Sequence, residues 1–342
     1  MLRYLITLLL FPFFIFSKPI EEFIRQDLKL DSYFLQKNLS EDLVEGGKLA
    51  EIFFLQEEKK SKTLVIKRFS KELKEDKEFL KEKTAYEYLK TKDFFKFCIP
   101  DVTFQWEDEE YYYLVLSLAE GRTLNGLLKD RKQLPFWNRE QYDIELTSAM
   151  KKSAQAIYEL HKSGNITYLK NVDSSSSRSL VEKMAKDLNI PYITEQYEEL
   201  KSKIQNKPLR FGIVHGDLHL GNIFYAPKKD KITLIDFSTL SGQVSIAKLP
   251  QSEEIANFIT HFEVIAYMHG LSSKEISSFI KSFEESYPNY EEMKDEIAYF
   301  RFITLLRLLE ICEGGSKDSY LNYQMNVISK YSKRVISSLA VS

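Results

Sequence analysis

Two short stretches of the chain carry side chains whose types and spacing suit one chemistry. Val214-His215-Gly216-Asp217-Leu218-His219-Leu220-Gly221-Asn222-Ile223 sets a carboxylate and a carboxamide five positions apart. Leu234-Ile235-Asp236-Phe237 adds a second carboxylate nineteen positions after the first, at the end of an apolar run. Phosphoryl transfer from a nucleotide needs such a set. One Asp orients and deprotonates the attacking hydroxyl, while an Asn and a second Asp hold Mg²⁺ against the phosphates. Asp217 is therefore the candidate catalytic base, and Asn222 and Asp236 are the candidate metal ligands. Mg²⁺ takes oxygen donors and keeps several waters, so one amide oxygen, one carboxylate and the phosphate oxygens suffice. Each residue also has a plainer reading: Asp217 and Asn222 as turn residues beside Gly216 and Gly221, Asp236 as a strand-end cap. None of these accounts for the shared spacing. His215 and His219 flank Asp217, but no third His or Cys stands near enough to complete a zinc site. His215 is instead expected to prop the loop through a backbone hydrogen bond.

Such groups need elements to hold them, and the first half of the chain supplies strands. Leu49 to Gln56 and Thr63 to Phe69 are rich in β-formers and are joined by the polar residues 57–62. Side chains alternate across a strand, so Val65, Lys67 and Phe69 share a face, and Lys67 is the candidate phosphate contact. Arg68 would then point the other way, into solvent. Residues 70–90 read as a charged amphipathic helix with Leu73, Leu80 and Leu89 among its apolar positions. That helix offers Glu82 or Glu87, with Glu78 behind them, as a partner for Lys67. Gly46-Gly47 precedes the first strand, where backbone N–H groups could approach phosphates; a plain hairpin turn fits equally. Val102 to Trp106 and Tyr111 to Leu118 form a further hairpin around the acidic turn 107–110. From residue 18 to about Ser40 the chain has weak helical periodicity (Ile20, Phe23, Ile24, Leu28, Leu30).

Beyond Gly121 the pattern becomes mostly helical. One long buried helix is expected over 140–162, a second tract broken near Pro191 over 179–204, and others over 252–285 and 291–335. Ser174 to Ser177 reads as an exposed loop. The fold class is α+β, with a small sheet carrying one helix (18–118 with its leader) and a larger helical part (119–342) holding the catalytic segment 213–237.

The composition is that of an ordinary globular protein: 342 residues, 44% hydrophobic, 29% charged. A net charge of −2 offers no case for general nucleic-acid binding. Cys98 and Cys312 are too few and too far apart for a disulfide framework or a metal site. The start is different. Met1-Leu2-Arg3-Tyr4 precedes the apolar run Leu5 to Phe16 and then Ser17-Lys18-Pro19. As a helix that run spans about 18 Å, short of a hydrocarbon core of about 30 Å. Residues 1–17 read as a secretory signal peptide or, if uncleaved, a membrane anchor. Export sits awkwardly with a need for ATP unless the destination holds nucleotide, an anchor would keep the domain in the cytoplasm, and a misassigned start would return the protein there.

The motifs resemble those of the aminoglycoside phosphotransferase and choline kinase family, a branch of the protein-kinase-like fold. His215 to Asn222 with Leu234-Ile235-Asp236-Phe237 is close to its signature. Leu64-Val65-Ile66-Lys67, Glu82, the segment Tyr113 to Leu124 and the segment ending Tyr158-Glu159-Leu160-His161 add weaker support. The resemblance implies a bilobal fold, ATP or GTP between the lobes, Mg²⁺ and a hydroxyl acceptor, with backbone groups of Ser117, Leu118 and Ala119 against the adenine. The Gly-Asp-Pro and Asp-Leu-Ala stretch that usually follows the metal Asp is absent. Ser238 to Leu249 intervenes, and Glu254-Ile255-Ala256-Asn257-Phe258 is a loose echo. These departures leave the acceptor open.

For a cationic acceptor, Glu284, Glu285, Glu291, Glu292, Asp295 and Glu296 offer charge, and Tyr287, Tyr290, Tyr299 and Phe300 offer rings. A solvated acidic face over a Tyr-rich core is the alternative. Three functions fit the residues. The first is a kinase for a small-molecule alcohol such as an aminoglycoside, choline or a sugar. The second is an exported kinase for a host protein or lipid, and the third is a silent nucleotide-binding regulator. The last is disfavoured because Asp217, Asn222 and Asp236 are all present.

Overall fold

β-Branched and aromatic runs separated by short polar turns build the first part of the chain into a sheet. The computed structural model describes residues 33–36, 50–57, 63–71, 75–169, 175–188, 192–240, 249–313 and 319–339. Residues 1–17, Gly46, Gly47 and Leu73 lie outside these. β1 (Tyr33–Gln36), β2 (Glu51–Glu57), β3 (Thr63–Ser70), β5 (Val102–Glu107) and β6 (Tyr111–Ser117) pair antiparallel in the order β1-β2-β3-β6-β5. β1 falls where the sequence suggested helix; its backbone pairs with β2, Phe34 opposite Gln56 and Leu35 opposite Leu55, and tertiary pairing overrides a weak helical pattern. The 107–110 turn is closed by Asp108, whose Oδ1 accepts from the N–H groups of Glu110 and Tyr111 at 2.8 and 2.7 Å.

One helix, α1 (Glu75–Lys90), packs on this sheet. Its buried stripe is Phe79, Glu82, Ala85, Tyr86 and Leu89, at helical spacing. Leu80, expected inside, is 54% exposed, because Phe79 one position earlier takes the inward place. β3 sorts its side chains by parity. Leu64 and Ile66 join Leu55, Tyr113 and Val115 in a cluster on one face, while Phe69 and Leu116 belong with α1 to the main core.

A second sheet, β4 (Phe97–Cys98), β11 (Lys231–Leu234), β10 (Ile223–Ala226) and β7 (Arg122–Thr123) in that order, carries the candidate catalytic segment. β10 and β11 are an antiparallel hairpin, while β4 lies parallel to β11. A two-stranded pair, β8 (Thr167–Leu169) with β9 (Leu209–Phe211), precedes the loop of interest.

The helices are α2 (Leu124–Gln133), α3 (Glu140–Lys162), α4 (Ser175–Leu188), α5 (Tyr192–Ile204), α6 (Gln251–Met268), α7 (Ser273–Glu284), α8 (Tyr290–Glu313) and α9 (Ser319–Leu339). α3 matches its expected span, although Ile144 is exposed. Ser175 to Ser177, expected in a loop, form the first turn of α4, with Ser177 buried. The tract 252–285 is two helices. Gly270, at φ +82°, follows the end of α6 with its N–H donating to Tyr267 O at 2.9 Å, and Ser272 starts α7 with a reciprocal capping box to Glu275. Likewise 291–335 divides into α8 and α9. Among the described residues no helix is long and apolar enough to cross a membrane.

The junction after α6 makes a pH test. His269 Nε2 lies 3.3 Å from Asn125 Oδ1 of α2, and burial, then Lys132 and Lys129, pushes the ring down to about 4 from 6.5. Between those pH values the unfolded chain binds a proton that the folded chain refuses, so acidification costs stability there. Melting temperature is expected to fall as pH drops from 6.5 towards 4, and His269→Gln should flatten that part of the curve. An identical slope in the variant would remove the assignment.

Candidate active site

The register of β3 against β6, with Lys67 opposite Leu114, points Lys67 towards α1. Its ammonium lies 2.6 Å from Glu82 Oε1 and 3.2 Å from Asp236 Oδ1. Glu82 is 1% exposed and is the carboxylate in the inward stripe of α1. Glu78 pairs with Lys81, and Glu87 is exposed, 4.0 Å from Lys83. Burial alone would lower the Lys67 ammonium; Glu82 and Asp236 overcome it and hold the group above its usual value. Burial pushes the Glu82 carboxyl up to about 7 against the pull of Lys67. At Asp236 burial opposes ionisation, but Lys67, and then His215 and His219, keep the carboxyl below its usual range.

Arg68 is not solvated. It is 3% exposed, with its guanidinium 5.0 Å from the Phe53 ring centre and 4.4 Å from that of Tyr111, and it pairs with Glu51. A planar cation on a long apolar stem can cover an aromatic sheet face that a compact ammonium would leave wet.

The segment between β9 and β10 is held from several sides. Gly216 has φ +85°, and a Cβ there would sit 2.4 Å from Thr239 O, so the turn needs glycine. Thr239 Oγ1 donates to His215 O at 2.9 Å. His215 Nε2 lies 2.8 Å from Ile235 O and therefore donates to it, the backbone prop expected from sequence. Phe237 is fully buried between the rings of His215, at 4.8 Å, and Tyr86 of α1, at 5.5 Å. Asn222 is buried; its Nδ2 donates to Asp217 O at 2.9 Å, and its own carbonyl accepts from Ile235 N at 3.1 Å. The Asp217 carboxylate is exposed. Asp236 adopts φ +64°, a left-handed conformation costing a non-glycine residue about 1–3 kcal/mol.

With Nδ2 committed to Asp217, the Asn222 carboxamide has one oxygen left, and Asp236 adds a partly exposed carboxylate. Among the described residues no group of three or more His, Cys, Asp and Glu gathers as a metal site. Two oxygen donors fit a hard cation that draws most of its coordination from phosphate and water, as Mg²⁺ does, and do not fit zinc.

Three residues read in other roles from the sequence hold this turn. Glu254, near the start of α6, accepts from Gly216 N at 2.7 Å through Oε1 and meets His161 Nε2 at 2.8 Å through Oε2. His161 Nδ1 in turn lies 2.8 Å from Tyr287 Oη. All three side chains are buried. Burial works against an ionised Glu254, but His161, His215 and the Gly216 N–H hold it below its usual range. The available signals were the acidic residue in the echo segment 254–258 and the His ending α3.

Ser117, Leu118 and Ala119 border a cleft of about 60 Å³, shared with Ile52, Phe54, Val65, Lys67, Tyr86, Pro100, Phe224 and Ile235. Ser117 N donates to Asp101 O at 2.9 Å and Leu118 N to Thr63 O at 3.3 Å. Ala119 is the one of the three whose N–H has no partner among the described residues. An open depression of about 570 Å³ lies elsewhere, along α3 beside Phe136, and shares no residue with this cleft.

Of the two readings of residues 284–300, the acidic face over a Tyr-rich core is the one the structure takes, and no aromatic cage forms among the described residues. Tyr287, Tyr290, Tyr299 and Phe300 are buried in the core. Glu284 accepts from Tyr290, and Glu285, Glu291, Glu292 and Asp295 pair with Lys281, Lys294, Arg210 and Lys207. Burial pushes the Glu296 carboxyl up.

Removing Glu254 would strand both His161 and the Gly216 N–H. Glu254→Ala is expected to lower unfolding stability by about 3–5 kcal/mol, measured by denaturant titration, with Glu254→Gln costing less. A loss below ~1 kcal/mol would show the anchor to be dispensable.

A search of curated proteins found no match. Among solved structures, a Plasmodium vivax ethanolamine kinase matches at 14% identity and a TM-score of 0.46, over 94% of this chain and 89% of that one. A microcompartment-associated aminopropanol kinase matches at 13% identity and a TM-score of 0.51, over 94% of this chain and 99% of that one. The model of the phosphotransferase enzyme family matches residues 42–241, more than half of the chain. The chain belongs to the phosphotransferase enzyme family.

Proposed function

We propose that the chain transfers the γ-phosphoryl group of ATP to a hydroxyl of a small molecule. The observation that carries this reading is Lys67 bridging Glu82 and Asp236, with Asp217 exposed on the loop that Asn222 closes. Family membership supports phosphoryl transfer. A small alcohol as acceptor accords with the neighbour named as an aminopropanol kinase.

Each residue then has a role. Lys67, kept protonated by its two carboxylates, contacts the nucleotide phosphates as a point charge. Glu82 fixes that ammonium in place. Ala119 N–H and neighbouring carbonyls meet the base, while Gly46 and Gly47 are proposed phosphate neighbours. Asn222 Oδ1 and the Asp236 carboxylate would hold Mg²⁺. When bound, the ion would neutralise charge on the phosphates. Asp217 aligns the acceptor hydroxyl and takes its proton. The acceptor oxygen bonds to the γ-phosphorus as the bond to the β–γ bridging oxygen breaks, giving a phosphate monoester and ADP.

Two variants test this. Asp217→Ala should lower kcat by about 10²–10⁴-fold while ATP affinity, measured by calorimetry, stays near normal. A fully active variant would remove Asp217 as base. Lys67→Met should weaken ATP binding and cut transfer by at least ~10²-fold; ATP bound as tightly as by the parent protein would remove Lys67 as a phosphate contact.

A further inference from the structure

α3 buries one side in the core and leaves the other open. Residues 140, 144, 147 and 151 recur every three or four positions and so form one stripe. Glu140, Ile144 and Lys151 on that stripe are exposed, and Thr147 is half-buried. Just before the helix, Phe136 and Trp137 pack edge to face at 5.8 Å and stand 77% and 72% exposed. The open depression of about 570 Å³ runs along the stripe from Phe136 to Lys151. Single apolar residues scattered on a surface need no account, whereas a contiguous exposed group marks an interaction site. Trp is enriched where such sites draw their binding energy.

The charges on the stripe say what the partner is. Glu140 and Lys151 have no ion-pair or hydrogen-bond partner among the described residues. Eleven positions apart, about 16.5 Å along the axis, they cannot reach each other. Other ionic groups of α3 nearby are engaged: Asp143 holds Arg131 at 2.5 Å, Lys152 holds Asp230 at 2.6 Å, and Glu145 accepts from Gln141 at 3.1 Å. A second copy of the same helix answers both open charges at once. With a two-fold axis passing between Glu145 and Leu146, antiparallel copies set Glu140 opposite the partner's Lys151 at each end. Between them Ile144 lies against the partner's Thr147, also twice. A parallel pairing would instead oppose Glu140 to Glu140 and Lys151 to Lys151. Self-complementarity of this kind is what a two-fold interface requires.

We propose that two copies of this chain associate through the exposed face of α3, antiparallel, with Phe136 and Trp137 closing each end of the contact. This goes beyond the phosphotransfer reading and does not rest on it, since the depression shares no residue with the cleft at Lys67.

Sedimentation equilibrium of the full chain, from about 1 to 100 µM, is expected to show monomer and dimer in exchange. Glu140→Lys and Lys151→Glu each oppose like charges twice per dimer. Either should raise the dissociation constant at least about tenfold. Mixing the two variants, or combining both changes in one chain, restores opposite charges in this register and should return the constant to within about threefold of the parent. Trp137→Ala should weaken the dimer by about tenfold as well. Circular dichroism checks that each variant keeps its helix content. A chain that stays monomeric throughout, a dimer indifferent to the single charge reversals, or single variants that mixing fails to rescue overturns the inference. Self-association through the apolar residues 1–17 would ignore all three substitutions and overturns it too. A monomer that floats with phosphatidylcholine vesicles, and no longer does so in Trp137→Ala, would assign the face to a lipid surface and likewise overturn it.

Discussion

One ammonium group ties the two halves of the site together. Lys67 comes from the middle of a sheet, Glu82 from the helix on that sheet, and Asp236 from the end of a hairpin in the other half of the chain. Two carboxylates around one buried cation leave an excess of negative charge. Burial makes that excess costly, as the rise of the Glu82 carboxyl to about 7 records. A further cation at Asp236 would relieve it. The surrounding fold serves this arrangement: the β3 register sends Lys67 rather than Arg68 inward, the stripe of α1 brings Glu82 under the sheet, and Asp236, on a left-handed backbone, meets the same ammonium.

The turn that carries the proposed base depends on a different kind of restraint. Gly216 is wedged against Thr239 on one side and bonded to Glu254 on another, and Glu254 leads through His161 to Tyr287. That chain of buried polar groups runs from the end of α3 and the turn before α8 to the residue next to Asp217. Helices far from the sheet thus set where the proposed base stands.

Local patterns were legible in the sequence. The hairpin strands, α1, the full span of α3 and the spacing of Asp217, Asn222 and Asp236 depend on neighbours a few residues away, which a periodicity or a motif records. Choices made by tertiary contact were not. Glu82 and Glu87 look alike in a helix rich in Lys and Glu; burial under the sheet separates them. Arg68 reads as a surface cation, and only the rings of Phe53 and Tyr111 across the sheet draw it inward. Periodicity carried 252–285 as one helix, whereas Gly270 and the Ser272 capping box divide it. The acidic face of 284–296 over a Tyr-rich core was legible, but its partners Lys207 and Arg210 lie too far away in sequence for a linear reading to bring alongside.

The β10–β11 hairpin acts as a spacer between the two oxygen donors. Ile223 faces Leu234 at the mouth of the ladder, Asn222 and Asp236 stand just outside it, and the carbonyl of Asn222 is tied to Ile235 N. The far end, residues 227–230, lies beyond the last pair, Ala226 with Lys231. Lengthening that distal turn would leave the gap between the donors untouched. A single residue inserted within either strand would instead invert the parity of everything following it and swing one donor to the opposite side of the hairpin.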